Sequence, residues 1–115
     1  MKKIILTIAV FISTLQLISQ KIHKCSFYGK GFHGKKTASG EIFNKNSFTC
    51  ASTKLYKLGT KLLVTNIKNG KSVIVRVTDR GNFAKYGRTL DLAEAAFRKL
   101  SSTKVGVINC TIQIV

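Results

Sequence analysis

The amino-acid sequence predicts a small, mainly β domain with one short helix, on three observations. Asn69-Gly70 stands between two apolar runs, the strongest short-range hairpin signal. The end of the chain alternates Val107, Asn109, Thr111 and Gln113 against Ile108, Cys110, Ile112 and Ile114, the period of a half-buried strand. The 115 residues contain no Pro, no linker-like composition shift and no internal repeat, so a single unit around a single core is expected.

Taken in order, Lys2 and Lys3 precede an apolar stretch over 4–17, interrupted by Thr7, Ser13, Thr14 and Gln16, and small Ser19 offers a cleavage position before Gln20. This predicts a secretory signal peptide over 1–19 rather than a retained anchor, since the stretch is short and interrupted for a membrane span. The folded domain is then expected over 20–115, exported to the periplasm or cell envelope, with no membrane span left after cleavage. Cys25-Ser26-Phe27-Tyr28 reads as the opening strand, and 62–66 and 73–77 as the strands flanking the Asn-Gly turn. Leu92, Ala93, Ala96, Phe97 and Leu100 have helical spacing. Asp91 with Glu94 three residues on has the form of a capping box at that helix's start. The closing strand, 107–115, carries Cys110 on its apolar face.

Twenty Lys and Arg face only four acids, a formal charge of +16 that becomes +14 once Lys2 and Lys3 leave with the signal peptide. Such a chain finds anionic polymers: nucleic acid, anionic lipid or acidic cell-wall material. Export argues against nucleic acid as the partner, and a monomer is expected. In an oxidising compartment Cys25, Cys50 and Cys110 permit one disulfide and one leftover thiol, with three possible pairings. Two histidines and three scattered cysteines show no close ligand pair, so neither metal nor cofactor is expected.

In a chain this poor in acids, each one needs a reason. The capping box accounts for Asp91 and Glu94, an N-cap carboxylate contributing about 1 kcal/mol. Glu41 closes the polar run 37–41 and Asp79 ends the alternating run 73–77 at Thr78-Asp79-Arg80-Gly81. Turn capping or an Asp79–Arg80 pair would explain these two structurally; acid–base or sugar-binding work would explain them chemically.

The residues together resemble a family. Ser26-Phe27-Tyr28-Gly29, Phe32-His33-Gly34 and Lys36-Thr37-Ala38-Ser39-Gly40-Glu41 are similar to the opening of the rare lipoprotein A-like proteins, septal lytic transglycosylases of the bacterial envelope. Leu58-Gly59-Thr60, Val64-Thr65-Asn66, Asn69-Gly70-Lys71-Ser72, Thr78-Asp79-Arg80-Gly81 and Leu90-Asp91-Leu92 follow in the same order over nearly the whole of 25–115. Each motif is weak alone; the set is specific.

The resemblance implies a six-stranded double-psi β-barrel with one or two short helices, a fold shared with expansins, barwin-like proteins and some endoglucanases. It implies peptidoglycan glycan strands as partner and cleavage of the MurNAc-β-1,4-GlcNAc bond, in which the sugar's own 6-hydroxyl attacks the anomeric carbon and leaves a 1,6-anhydro end. The family's functional Asp falls on Asp79 and its functional Glu on Glu41. Tyr28, Phe32, His33, Thr37, Ser39, Ser52, Arg80 and Asp91 fall on the substrate side. Two departures stand out: Ser52, in Thr49-Cys50-Ala51-Ser52, occupies the place of a common family His, and Asn82 replaces a Pro after Asp79-Arg80-Gly81. Ser52 cannot titrate near neutrality but can orient Glu41, beside which it is expected. A lytic transglycosylase with Asp79 as principal acid/base is the favoured reading. A non-catalytic, expansin-like glycan binder is the alternative, and a cationic protein acting on anionic surfaces is a third.

Overall fold

A computed structural model describes residues 20–115; the expected signal peptide lies outside the described residues. Six strands form a closed barrel: β1 (His23–Tyr28), β2 (Thr49–Ser52), β3 (Lys61–Asn66), β4 (Ser72–Arg80), β5 (Leu90–Ala93) and β6 (Ile108–Ile114). A 3₁₀ turn, Ala84–Tyr86, precedes β5, and one short helix, α1 (Glu94–Arg98), follows it. The spatial order is β1-β5-β2-β4-β3-β6. The pairs β1·β5 and β2·β4 are parallel and the rest antiparallel, so this is a mixed barrel.

The hairpin signal marks β3 and β4, which pair from Lys61↔Arg76 to Thr65↔Ser72. Gly70, with φ 75°, makes the left-handed step that closes their connection, a conformation glycine takes without steric cost. The Asn66 and Asn69 side-chain amides both donate to the Leu100 carbonyl, at 3.0 and 2.9 Å, tying this turn to the segment after α1. Alternation buries one side of each strand: Leu62 and Val64 of β3, Val75 and Val77 of β4, and Leu90 and Leu92 of β5 are at most 1% exposed. Phe97 of α1 and Leu100 beyond it close the core from one side.

Cys110 does lie on the apolar face of β6, and it bridges to Cys25 of β1. Of the three possible pairings this joins the first strand to the last and leaves Cys50 free and buried.

The helix start is a correction to the sequence reading. Asp91 is not an N-cap: it lies within β5, which pairs with both β1 and β2, and the residue preceding the helix is Ala93, without a side-chain cap. Leu90 and Leu92 satisfy a strand period on the core side, and pairing with two neighbours outweighs the helical spacing counted from Leu92. The Lys45 carbonyl takes the Ala95 N–H at 2.9 Å, replacing the capping box. Strand β2 and the strand character of 90–93 were not anticipated from the sequence.

Candidate active site

The site is built where four strands run side by side. Asp79 of β4 pairs with Ala51 of β2, Ala51 with Asp91 of β5, and Asp91 with Ser26 of β1. Residues opposite one another across a ladder share a face. Their neighbours Val77, Cys50, Leu92 and Cys25 are wholly buried in the barrel, so the row Asp79-Ala51-Asp91-Ser26 lies on its outside. Two strand spacings separate the aspartates, roughly 10 Å between Cα atoms.

A β-bulge aims Asp79. Simple alternation from Val73, Val75 and Val77 would turn Asp79 toward the core, but the register of β2·β4 shifts between Cys50 and Ala51, where Thr78 is the extra residue. Arg76 and Asp79 consequently both face out. The shift is what makes the carboxylate available at the end of a buried strand.

The segment 34–43 folds over this row as a small hairpin, closed by hydrogen bonds between Gly34 and Phe43 and between Lys35 and Phe43. Thr37 Oγ1 donates to the Glu41 carbonyl at 2.8 Å, and the Ser39 N–H donates to the Thr78 carbonyl at 2.9 Å, docking the hairpin tip on β4. This places the Ala38 N–H 3.0 Å from Asp79 Oδ1, which also accepts the Arg80 N–H at 2.8 Å. One carboxylate oxygen is thus held by two backbone donors. The other, Oδ2, accepts no hydrogen bond from the described residues.

Glu41 is held by Arg76. It makes a two-pronged ion pair with Arg76, at 2.5 and 2.8 Å, and accepts a hydrogen bond from Ser39 Oγ at 3.3 Å. The Arg76 hydrogen bonds hold its carboxyl below the usual glutamate range, so Glu41 stays ionised and anchors the hairpin tip that delivers Ala38 to Asp79.

Ser52 does not join Glu41. It pairs with Arg80, four residues along β4 from Glu41's partner Arg76, roughly 13 Å of strand. It is fully buried, on the opposite side of β2 from the aspartate row, and its hydroxyl donates to the Thr53 carbonyl at 2.7 Å. Arg80 points the same way, its guanidinium 3.5 Å from that carbonyl.

Tyr28, two residues beyond Ser26 on β1, stacks on Phe43 at 4.3 Å between ring centres and meets Phe32 edge-on at 5.5 Å. Burial, with the charges of Asp79, Cys50 and Asp91, pushes its phenol well above the ordinary range. Phe32 is 51% exposed, an open aromatic face at the rim. His33 Nδ1 accepts the Lys45 N–H at 3.2 Å and serves the loop. Asp91 sits 3.3 Å from Arg88 Nε; burial pushes its carboxyl up, against the pull of Arg88. The Arg88 guanidinium lies 5.7 Å from the ring centres of both Phe83 and Tyr86.

Arg76 and Arg88 were missed by sequence reasoning, although Arg76, on the outward phase of the 73–77 run, was a visible signal. Among the described residues no group of His, Cys, Asp and Glu is arranged to hold a metal, and no helix is long and apolar enough to cross a membrane. A crevice of about 1180 Å³ lies between the 67–71 turn and the 101–107 loop, at the other end of β4, and no carboxylate lines it.

A family model described as Lytic transglycolase matches residues 23–112. The chain is 48% identical over 90 residues to the probable endolytic peptidoglycan transglycosylase RlpA of Synechocystis, covering 78% of this chain and 27% of that protein. It is 51% identical over 83 residues to the corresponding protein of Aquifex aeolicus, covering 72% of this chain and 36% of that protein. The chain therefore spans about a third of the length of these relatives. Among solved structures it resembles an expansin of Clavibacter michiganensis, with TM-score 0.66 and 26% identity over 84% of this chain and 50% of that one. It also resembles a Streptomyces papain inhibitor, with TM-score 0.68 and 23% identity over 84% and 94%, a likeness of fold. With a mixed six-stranded barrel, an order of motifs that holds from the first strand to the last, and a family match over the same span, the chain belongs to the lytic transglycolase family of double-psi β-barrel proteins.

Proposed function

We propose that this chain is an exported peptidoglycan lytic transglycosylase that cleaves MurNAc-β-1,4-GlcNAc bonds and leaves 1,6-anhydroMurNAc ends. The observation that carries the reading is Asp79: one oxygen held by two backbone N–H groups, the other open, on an outward row beside an exposed aromatic rim. In its acid form the carboxyl protonates the glycosidic oxygen as the bond to the anomeric carbon breaks. As the carboxylate it then accepts the 6-hydroxyl proton while that oxygen bonds the same carbon, so one group serves both halves and no water is consumed. Glu41 acts at one remove, through Arg76 and the hairpin tip, and Phe32 offers a face to a sugar ring. The basic surface draws the chain to an acidic wall.

Asp79→Asn tests this. Asn retains an oxygen to accept the Ala38 and Arg80 N–H groups but cannot transfer a proton, so anhydro-product formation, followed by mass spectrometry of digested wall material, is expected to fall at least ~100-fold while Tm stays near wild type. Turnover at the wild-type rate would remove Asp79 from the mechanism. The likeness to an expansin supports a second reading, a non-catalytic glycan binder, for which wild type and variant alike release no products yet bind wall material.

A further inference from the structure

The crevice between the turn after β3 and the loop after α1 has two walls that are tied together at one point. The Asn66 and Asn69 amides, from the first wall, both donate to the carbonyl of buried Leu100, where the second wall begins. The oxygens of the same two side chains accept the Lys68 and Lys71 N–H groups, at 3.1 and 3.0 Å, so the backbone that carries both lysines is fixed. On the facing wall the Ser102 carbonyl takes the Val105 N–H at 3.1 Å, and the Ser102 hydroxyl takes the Lys104 N–H at 3.3 Å. A ligand entering a concave site whose backbone is already held in this way has little ordering to impose on it. The volume, about 1180 Å³, exceeds the ~300–1,000 Å³ of small-molecule sites and has room for several residues of an extended ligand.

The lining residues define the chemistry that fits. Lys68 and Lys71 stand on one wall and Arg98 on the other, and no Asp or Glu lines the space between them. Among the described residues neither lysine has an ion-pair partner. Arg98 gives one nitrogen, Nη2, to Glu94 in a solvent-exposed pair, which leaves the rest of its fork for a second carboxylate. Ser101, Ser102 and Thr103 bring hydroxyls for the amide groups of a peptide. Ile67, Val105 and Val107 also line the crevice and are 44–60% exposed. Methyl-bearing side chains would cover that apolar surface, whereas a polyol phosphate chain has nothing apolar to set against it.

We propose that this crevice binds a short acidic peptide, its carboxylates held by Lys68 and Lys71 on one side and Arg98 on the other, its small apolar side chains against Ile67, Val105 and Val107. Asp79 lies eight residues along the chain from Lys71, roughly 25 Å of strand, so the peptide and a sugar at Asp79 occupy separate places. Peptidoglycan carries such peptides on its glycan strands. That choice of source rests on the proposed function, whereas the binding itself does not.

The probe is a blocked tetrapeptide with two central glutamates between alanines, titrated into the ¹⁵N-labelled chain and followed by amide NMR. Saturable shifts are expected in 66–71 and 98–109 and none around Asp79. Lys68→Gln combined with Lys71→Gln is expected to weaken Kd at least ~10-fold, while Lys54→Gln with Lys57→Gln, exposed lysines outside the crevice, removes the same charge and keeps Kd within about twofold. The peptide with glutamines in place of its glutamates is expected to bind at least ~10-fold more weakly. Equal losses from the two lysine pairs, or shifts spread over the whole basic surface, overturn the proposal in favour of non-specific charge attraction. Equal binding of the glutamine peptide overturns carboxylate recognition, and tighter binding of a glycerol phosphate oligomer at the same residues overturns the choice of a peptide. Absence of saturable shifts removes the site. If the chain releases no anhydro products, the proposed function fails, and these measurements still decide what the crevice binds.

Discussion

Ser52 shows how a single residue can hold a family position without holding the family's role. Its side chain has no exposed surface, it turns away from the aspartate row, and its hydroxyl is spent on the Thr53 carbonyl beside it. Restoring a titratable ring by Ser52→His would appear from sequence to rebuild the site. The packing says otherwise: Leu90 and Arg80 flank this position on the neighbouring strands, and an imidazole has to fit where a hydroxymethyl group fills the space. The expected outcome is a loss of about 1–3 kcal/mol in stability, measured by denaturant unfolding, with no gain in product formation. A stable variant with raised turnover would show instead that the ring finds a path to Asp79. Glu41 is the complementary case, a residue singled out by its motif whose side chain is engaged by Arg76.

At the level of elements, the sequence was legible where local pattern and tertiary pairing agree. Strands β1, β3, β4 and β6 follow from alternation and from Asn69-Gly70, because each has one buried side and the turn chemistry matches. Strands β2 and β5 escaped because each is four residues long and flanked by other signals: Thr49-Cys50-Ala51-Ser52 is buried along its whole length and shows no alternation, and Asp91 with Glu94 mimics a helix start. The bulge that turns Asp79 outward was equally hidden, since it exists only in the register of β4 against β2. Asp79 was therefore identifiable by motif, whereas its orientation was not. The loop that follows it is similarly a product of packing. A Cβ on Gly81 would lie 1.9 Å from Phe83 Cε1, and Phe83 is 5% exposed with the Arg88 guanidinium 5.7 Å from its ring centre. Gly81→Ala must displace that ring and with it Arg88, the partner of Asp91. We expect a cost of about 1–3 kcal/mol and a loss of turnover, checked by thermal unfolding and product assay on the same preparation. A neutral Gly81→Ala would mean that Phe83 has room to move that the packing denies it.

Over the whole molecule, closure is the property on which the others depend, and it is made at the seam between the first strand and the last. β1 and β6 share only three register pairs, against five for each of β3·β4 and β3·β6. The Cys25–Cys110 bridge crosses this short seam and encloses a sequence separation of 85, almost the whole described chain. In the chain-entropy picture a loop of that size lowers the freedom of the unfolded state by about 4–5 kcal/mol. Cys50 complicates the measurement, because unfolding frees a third thiol that can exchange with the bridge. In the folded barrel it is inert: burial pushes its thiol up to about 12, so almost none is thiolate at neutral pH. The clean comparison is therefore oxidised against reduced protein in a Cys50→Ala background, by denaturant unfolding. We expect reduction to lower stability by about 2–5 kcal/mol and to open the β1·β6 seam first, seen as early amide exchange in 23–25 and 108–110. Equal stability of the two forms would mean that core packing around Leu62, Leu92 and Phe97 closes the barrel alone, and that the bridge acts after folding, by protecting an edge that would otherwise fray.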